Sequence, residues 1–150
     1  MWNRGDSGIV MQWRRFLPLP FYVAAAIFCG CAVQGAPFEK AYAPPAHAAI
    51  YVYRPYSYAG SLLRPAVTCG DDTTRIGPGG YHAFIEPVGD IICRVQGGES
   101  ADEVELLATP RVYYIRERIG WGLMTGHPQL DPIDTDKAQT EIQRCCVAPR

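Results

Sequence analysis

The chain has 150 residues, 48% of them hydrophobic and 19% charged, and a formal net charge of -1. That composition suits one ordinary globular domain and excludes a disordered tail or a large multidomain assembly. The 14 Lys and Arg are scattered singly, so the basic stripe that neutralises phosphate backbones is missing and nucleic acid is not expected as a partner. Six Cys beside 13 Pro and 15 Gly describe a turn-rich chain that meets an oxidising compartment, because cytosolic proteins seldom gather so many thiols outside metal sites.

From Phe16 to Phe28 the chain is apolar and uncharged, with Arg14 and Arg15 before it and small residues and Cys31 after it. This is the layout of a secretory signal peptide, assigned to residues 1–30. The run is shorter than the roughly 20 residues that span a bilayer as a helix, and Pro18 and Pro20 break its first turns. Met11 to Arg15 form a compact n-region by themselves, which makes Met11 a second candidate for the translation start. The sequence Phe28-Cys29-Gly30-Cys31 resembles the lipobox of bacterial lipoproteins. That resemblance implies lipidation of Cys31, which becomes the first residue of the mature chain; the alternative is a soluble secreted protein cut near Ala36. Ala32, rather than Asp, follows the anchor, and this resembles the sorting pattern of Gram-negative lipoproteins kept on the periplasmic face of the outer membrane. Removing residues 1–30 takes away Arg4, Arg14 and Arg15 but only one acid, Asp6, and leaves a mildly acidic chain. Polybasic attraction then cannot hold it to anionic lipid, so the expected membrane contact is the covalent acyl anchor.

Residues 31–47, with Gly35, Pro37, Pro44 and Pro45, show no periodicity and read as the lipidated N-terminus and a flexible spacer. The folded domain is expected over 48–150. Period-two alternation of β-branched and aromatic residues predicts strands at 49–54, 66–69, 81–86, 90–96, 104–108 and 111–116. Turn clusters separate them, at Gly70-Asp71-Asp72, Gly77-Pro78-Gly79-Gly80, Pro87-Val88-Gly89 and Gly97-Gly98. One helix is predicted over 134–144, with Ala138 and Ile142 four apart and Asp134 or Thr135 as its cap. The expected fold is an all-β, small antiparallel sandwich with one short C-terminal helix.

Ala49-Ile50-Tyr51-Val52-Tyr53-Arg54, Gly80-Tyr81-His82, the Pro87-Val88-Gly89 turn and Tyr113-Tyr114-Ile115-Arg116, all after a lipobox, resemble the bacterial lipoprotein family called domain of unknown function 2846. The resemblance runs from residue 48 to about residue 143. It implies a small immunoglobulin-like or transthyretin-like sandwich and supplies no catalytic residues.

Cys69 and Cys93 each lie two positions from apolar strand residues, Val67 for the first and Ile91 and Val95 for the second, so both are expected to face the interior and form a disulfide. Cys145 and Cys146 are adjacent. Adjacent Cys rarely bridge each other, which leaves one or both free or paired between molecules, on a chain end expected to fray. His47, His82 and His127 stand at no metal-ligand spacing, and no metal or cofactor is expected. Asp71-Asp72-Thr73-Thr74 lacks the register of a calcium loop and reads as a turn, as does Gly77-Pro78-Gly79-Gly80, where no Lys-Ser follows. Ser57, Ser61 and Ser100 lack a nucleophile elbow. Glu99, Asp102, Glu103 and Glu105 read as a solvated strand edge. The Tyr residues at 51, 53, 56, 58, 113 and 114, with Trp121, divide between core and a recognition surface. The expected function is a noncatalytic, lipid-anchored envelope module that binds an unidentified envelope protein or glycan. The alternative is a thiol-dependent envelope enzyme or redox protein using Cys145 or Cys146.

Overall fold

Eight strands and one helix form among the residues that the computed structural model describes, 37–40, 42–98, 100–120 and 126–147. The signal peptide, the alternative start at Met11, Cys31, Glu99 and Trp121 lie outside the described residues. The elements run β1 (His47–Arg54), β2 (Ala66–Cys69), β3 (Asp72–Arg75), β4 (Gly80–Pro87), β5 (Gly89–Gly97), β6 (Ser100–Ala108), β7 (Val112–Gly120), β8 (His127–Pro132) and α1 (Thr135–Cys145). Two four-stranded sheets result, ordered β4-β1-β7-β8 and β3-β2-β5-β6. The fold is a β sandwich.

The first sheet is mixed. β1 pairs antiparallel with β4 but parallel with β7, in register from Ala49↔Val112 to Tyr53↔Arg116. The second sheet is antiparallel throughout. Ala48, Ile50 and Val52 of β1 meet Val67, Phe84, Ile91, Val95 and Ile115 in the core between the sheets. The interleaved Ala49, Tyr51 and Tyr53 are equally buried, on the opposite face. Central strands covered on both faces lose the polar half of their alternation.

That second face is covered by α1, which makes a third layer. Asp134 caps it by accepting from the Asp136 amide at 3.0 Å, and Ala138 and Ile142 are its buried residues. They pack over Tyr51, Tyr81 and Tyr114, with the Tyr51 and Tyr114 rings stacked at 5.5 Å. The Tyr53 hydroxyl donates to Glu141 on the helix at 2.6 Å. Burial, and then this carboxylate, push that phenol well above its usual range.

Several expectations are revised. Part of the stretch read as spacer belongs to the fold, since Pro37 bridges Val147 and Phe38 packs edge-on against Tyr51 and Tyr81. Asp72–Arg75 is a strand rather than a turn, paired along its length with β2. His127–Pro132 is a strand although it contains two prolines, because β8 is an edge strand and its Pro128 and Pro132 need donate nothing to β7. The chain end is not frayed at Cys146, which is buried, with Val147 bridging both Pro37 and Gly80.

Candidate functional site

The strands place their connections at two ends. β1 and β7 finish, and β2, β4 and β8 begin, at the same end, and there the loops after β1, between β3 and β4, and after β5 converge. Arg54, the last residue of β1, continues the inward parity of Ile50 and Val52 and is 2% exposed. Its guanidinium donates through Nη1 to the carbonyl oxygens of Leu63 at 2.8 Å and Ile76 at 3.3 Å, and through Nη2 to that of Gly60 at 2.7 Å. One side chain thus ties two loops to the sandwich. Gly60 sits at φ +69°, and a Cβ there would overlap Ile119, so the loop turns tightly against β7.

Glu117 of β7 completes this polar plug. It is fully buried, and its Oε1 lies 3.6 Å from Arg54 Nη1. Among the described residues, neither carboxylate oxygen has a hydrogen-bond donor. Burial raises its pKa to about 7, with the Arg54 charge pulling the other way. Burial likewise lowers Arg54, offset by Glu117. Two clefts open at this end. One of about 370 Å³ is lined by Arg64, Arg75, Gly97 and Pro128, and one of about 350 Å³ by Ser57, Arg54, Glu117 and Gln129.

The loop held by Arg54 turns large apolar groups outward: Tyr56 is 70%, Tyr58 86% and Leu62 95% exposed. Tyr51, Tyr53, Tyr81 and Tyr114 are core residues instead, and Tyr113 is half-buried with Arg111 over its ring. The tyrosines therefore divide between core and surface by element.

The two sheets differ in what covers them. The outer face of the β4-β1-β7-β8 sheet is under α1, whereas the outer face of the other sheet is open. It carries the Thr68–Thr73 hydroxyl pair, the Arg94–Glu103 ion pair, and Ile92 and Leu107, which are 44% and 76% exposed.

Cys69 and Cys93 stand directly opposite each other on β2 and β5, Cα atoms 4.1 Å apart, bonded and inside the core. Cys145 and Cys146 are bonded to each other at the end of α1, which corrects the expectation of free or intermolecular thiols. The Cys146 sulfur lies 3.7 Å from the Arg54 carbonyl oxygen, a contact that becomes a hydrogen bond only in the thiol form. The acidic run is not uniformly solvated. Glu103 and Glu105 are exposed, but Asp102 points inward and accepts the Leu130 amide of β8 at 2.8 Å, across the gap between the sheets.

Of the histidines, His47 bonds the Pro45 carbonyl oxygen and His82 faces Asp72 at 3.4 Å. Ser100 and His127, which the sequence keeps apart, meet at 2.6 Å. The pair is exposed and no described carboxylate orients the far ring nitrogen, so it has the form of a surface link between β6 and β8 rather than an activated nucleophile. No group of three or more His, Cys, Asp or Glu among the described residues could hold a metal. No family model, no curated protein and no solved structure matches the chain.

Proposed function

We propose that the chain is a noncatalytic envelope lipoprotein, anchored through lipid on Cys31, whose sandwich is a binding or structural module for an envelope protein or glycan. The observation that carries the binding part is the asymmetry of the sandwich. Burying both faces of β1 and packing α1 over it makes one sheet a base, and the other sheet presents an open face. On that face half-exposed Ile92 and exposed Leu107 stand beside threonine hydroxyls and an ion pair. Apolar groups ringed by polar ones suit macromolecular recognition. The anchoring part rests on the sequence around Cys31 and on its resemblance to bacterial lipoproteins.

Photocrosslinking in intact cells from positions 92 and 107, followed by mass spectrometry, tests the binding face. A discrete protein or glycan adduct is expected, and crosslinks no more frequent than from a buried position such as Val95 would refute it. Metabolic labelling with a fatty-acid analogue tests the anchor, with loss of label in Cys31→Ser as the expected result. A second reading is favoured by one observation, the bond between Cys145 and Cys146: a thiol-dependent redox role for that pair. Replacing both by Ser separates the two, since a binding module keeps its crosslinks and a redox protein loses its phenotype.

A further inference from the structure

We propose that the loop formed by residues 55–64 is a bilayer-contacting element, inserted into the interface of the membrane that holds the lipid anchor. This rests on the reading of Cys31 as lipidated. Three observations carry it. The loop exposes Tyr56, Tyr58, Leu62 and Leu63, the last at 40%, and its sequence holds one positive residue, Arg64, and no acid. Tyrosine rings and aliphatic tips beside a cation suit the boundary between headgroups and acyl chains, where the ring is buried and the hydroxyl stays wet.

The second observation is rigidity. Arg54 grips the carbonyl oxygens of Gly60 and Leu63, and Gly60 abuts Ile119, so the backbone of the loop is held at these points with its apolar side chains turned outward. A loop held in this way loses little further entropy on insertion.

The third is where the tether emerges. Pro37 bridges Val147, and Val147 in turn pairs with Gly79 and Gly80 at the end of β1, where the Gly79 amide donates to the Arg54 carbonyl oxygen. The chain therefore enters the sandwich at the end that carries the loop. Pro37 stands six positions after Cys31, and six residues extend at most about 20 Å. A lipid on Cys31 therefore keeps this end of the sandwich within about 20 Å of the bilayer.

The test uses the full chain, matured in cells, purified with its lipid and reconstituted in vesicles of phosphatidylethanolamine and phosphatidylglycerol that contain a phospholipid with a diazirine on its acyl chain. After irradiation, lipid adducts are expected on peptides covering 55–64 and not on those covering Leu107 at the other end. The pair Tyr58→Asp and Leu62→Asp, both on exposed side chains, is expected to lose these adducts while circular dichroism and Cys31 lipidation stay unchanged. Lipid on Cys31 without adducts on 55–64 would overturn the loop contact and leave the anchor standing. Absence of lipid on Cys31 by mass spectrometry would overturn both. Crosslinks from position 58 in cells to a protein or a glycan, with no lipid adduct, would also overturn it.

Discussion

Arg54 and Glu117 close one end of the sandwich from neighbouring parallel strands, their charged groups 3.6 Å apart and both almost wholly withdrawn from water. The two are not equivalent. Arg54 is satisfied by three loop carbonyls, whereas Glu117 has, among the described residues, only the Arg54 charge. A buried ion pair of this kind repays little of its desolvation, yet breaking it from one side is costly.

The first prediction concerns pH. Glu117 has a pKa of about 7 in the fold, against about 4.3 in an unfolded chain. Between those values the folded state holds the extra proton, so stability falls as pH rises through the window and levels off above it. The loss is on the order of 3 kcal/mol when complete. Urea unfolding from pH 5 to pH 8 should show this decline in the wild type, and Glu117→Gln should flatten it. An equal slope in the variant would assign the dependence to other groups.

The second concerns the partner. Arg54→Met removes the cation and orphans the Gly60, Leu63 and Ile76 carbonyls, and at pH 8 Glu117 must either stay ionised without a partner or take up a proton against the solution pH. The expected cost is about 3–5 kcal/mol, the penalty for an uncompensated buried charge. At pH 5.5 the cost should shrink, because Glu117 is then mostly protonated. Arg54→Met combined with Glu117→Leu should recover part of the loss, and a cycle showing simple additivity would mean that the two do not interact.

Neither residue was singled out from the sequence, and the strand predicted over 111–116 stops short of Glu117. Arg54 holds the parity of Ala48, Ile50 and Val52, and Glu117 that of Tyr113, Ile115 and Ile119, so each is a charge written on an apolar face. Their meeting depends on the parallel register of β1 with β7, which periodicity does not encode. The long strands and the helix were legible because alternation, Gly-rich turns and the Asp134 cap are local signals. β3 was hidden because its Asp72-Thr73-Thr74-Arg75 is polar, as suits an edge, and β8 because Pro128 and Pro132 argue against a strand until one knows that it is an edge strand. The third layer was hidden for a different reason. Tyr51 and Tyr53 read as one half of an alternation, and only packing shows both halves covered.

The third prediction contrasts the two disulfides. Cys69 and Cys93 are separated by 24 residues and bonded inside the core, whereas Cys145 and Cys146 are adjacent. Constraining the unfolded chain favours the longer loop, by about 3 kcal/mol against about 1 kcal/mol in the chain-entropy picture. Cys69→Ala should therefore cost more than Cys145→Ala in thermal unfolding. A nonreducing peptide map should show two linked peptides joined through 69 and 93, and a single peptide that gains two alkyl groups only after reduction. Equal losses from both would point to packing rather than chain constraint.

The last prediction concerns Asp102, an inward-facing carboxylate on the edge strand β6. Its Oδ2 accepts the Leu130 amide at 2.8 Å and its Oδ1 the Glu103 amide at 3.0 Å, so it links the edge of one sheet to the edge of the other. β8 pairs with β7 on its other side, from Gly120↔His127 to Ile115↔Pro132, and Asp102 holds the side that faces away from β7. Pro128 and Pro132 carry no N–H, and Leu130, midway between them, donates to Asp102 rather than to β7. Asp102→Ala leaves that amide without its partner beside a buried leucine, at a cost of about 1–3 kcal/mol. Hydrogen exchange gives a sharper readout than global stability. In the wild type the Leu130 amide should be protected, and in Asp102→Ala its protection should collapse, while that of the Gln129 and Asp131 amides, which face β7, changes only by the global loss. Asp102→Asn keeps a carbonyl acceptor of the same shape and should restore most of the protection. If Leu130 exchanges slowly in Asp102→Ala, the amide has another acceptor and the link across the sheets is not what closes this edge.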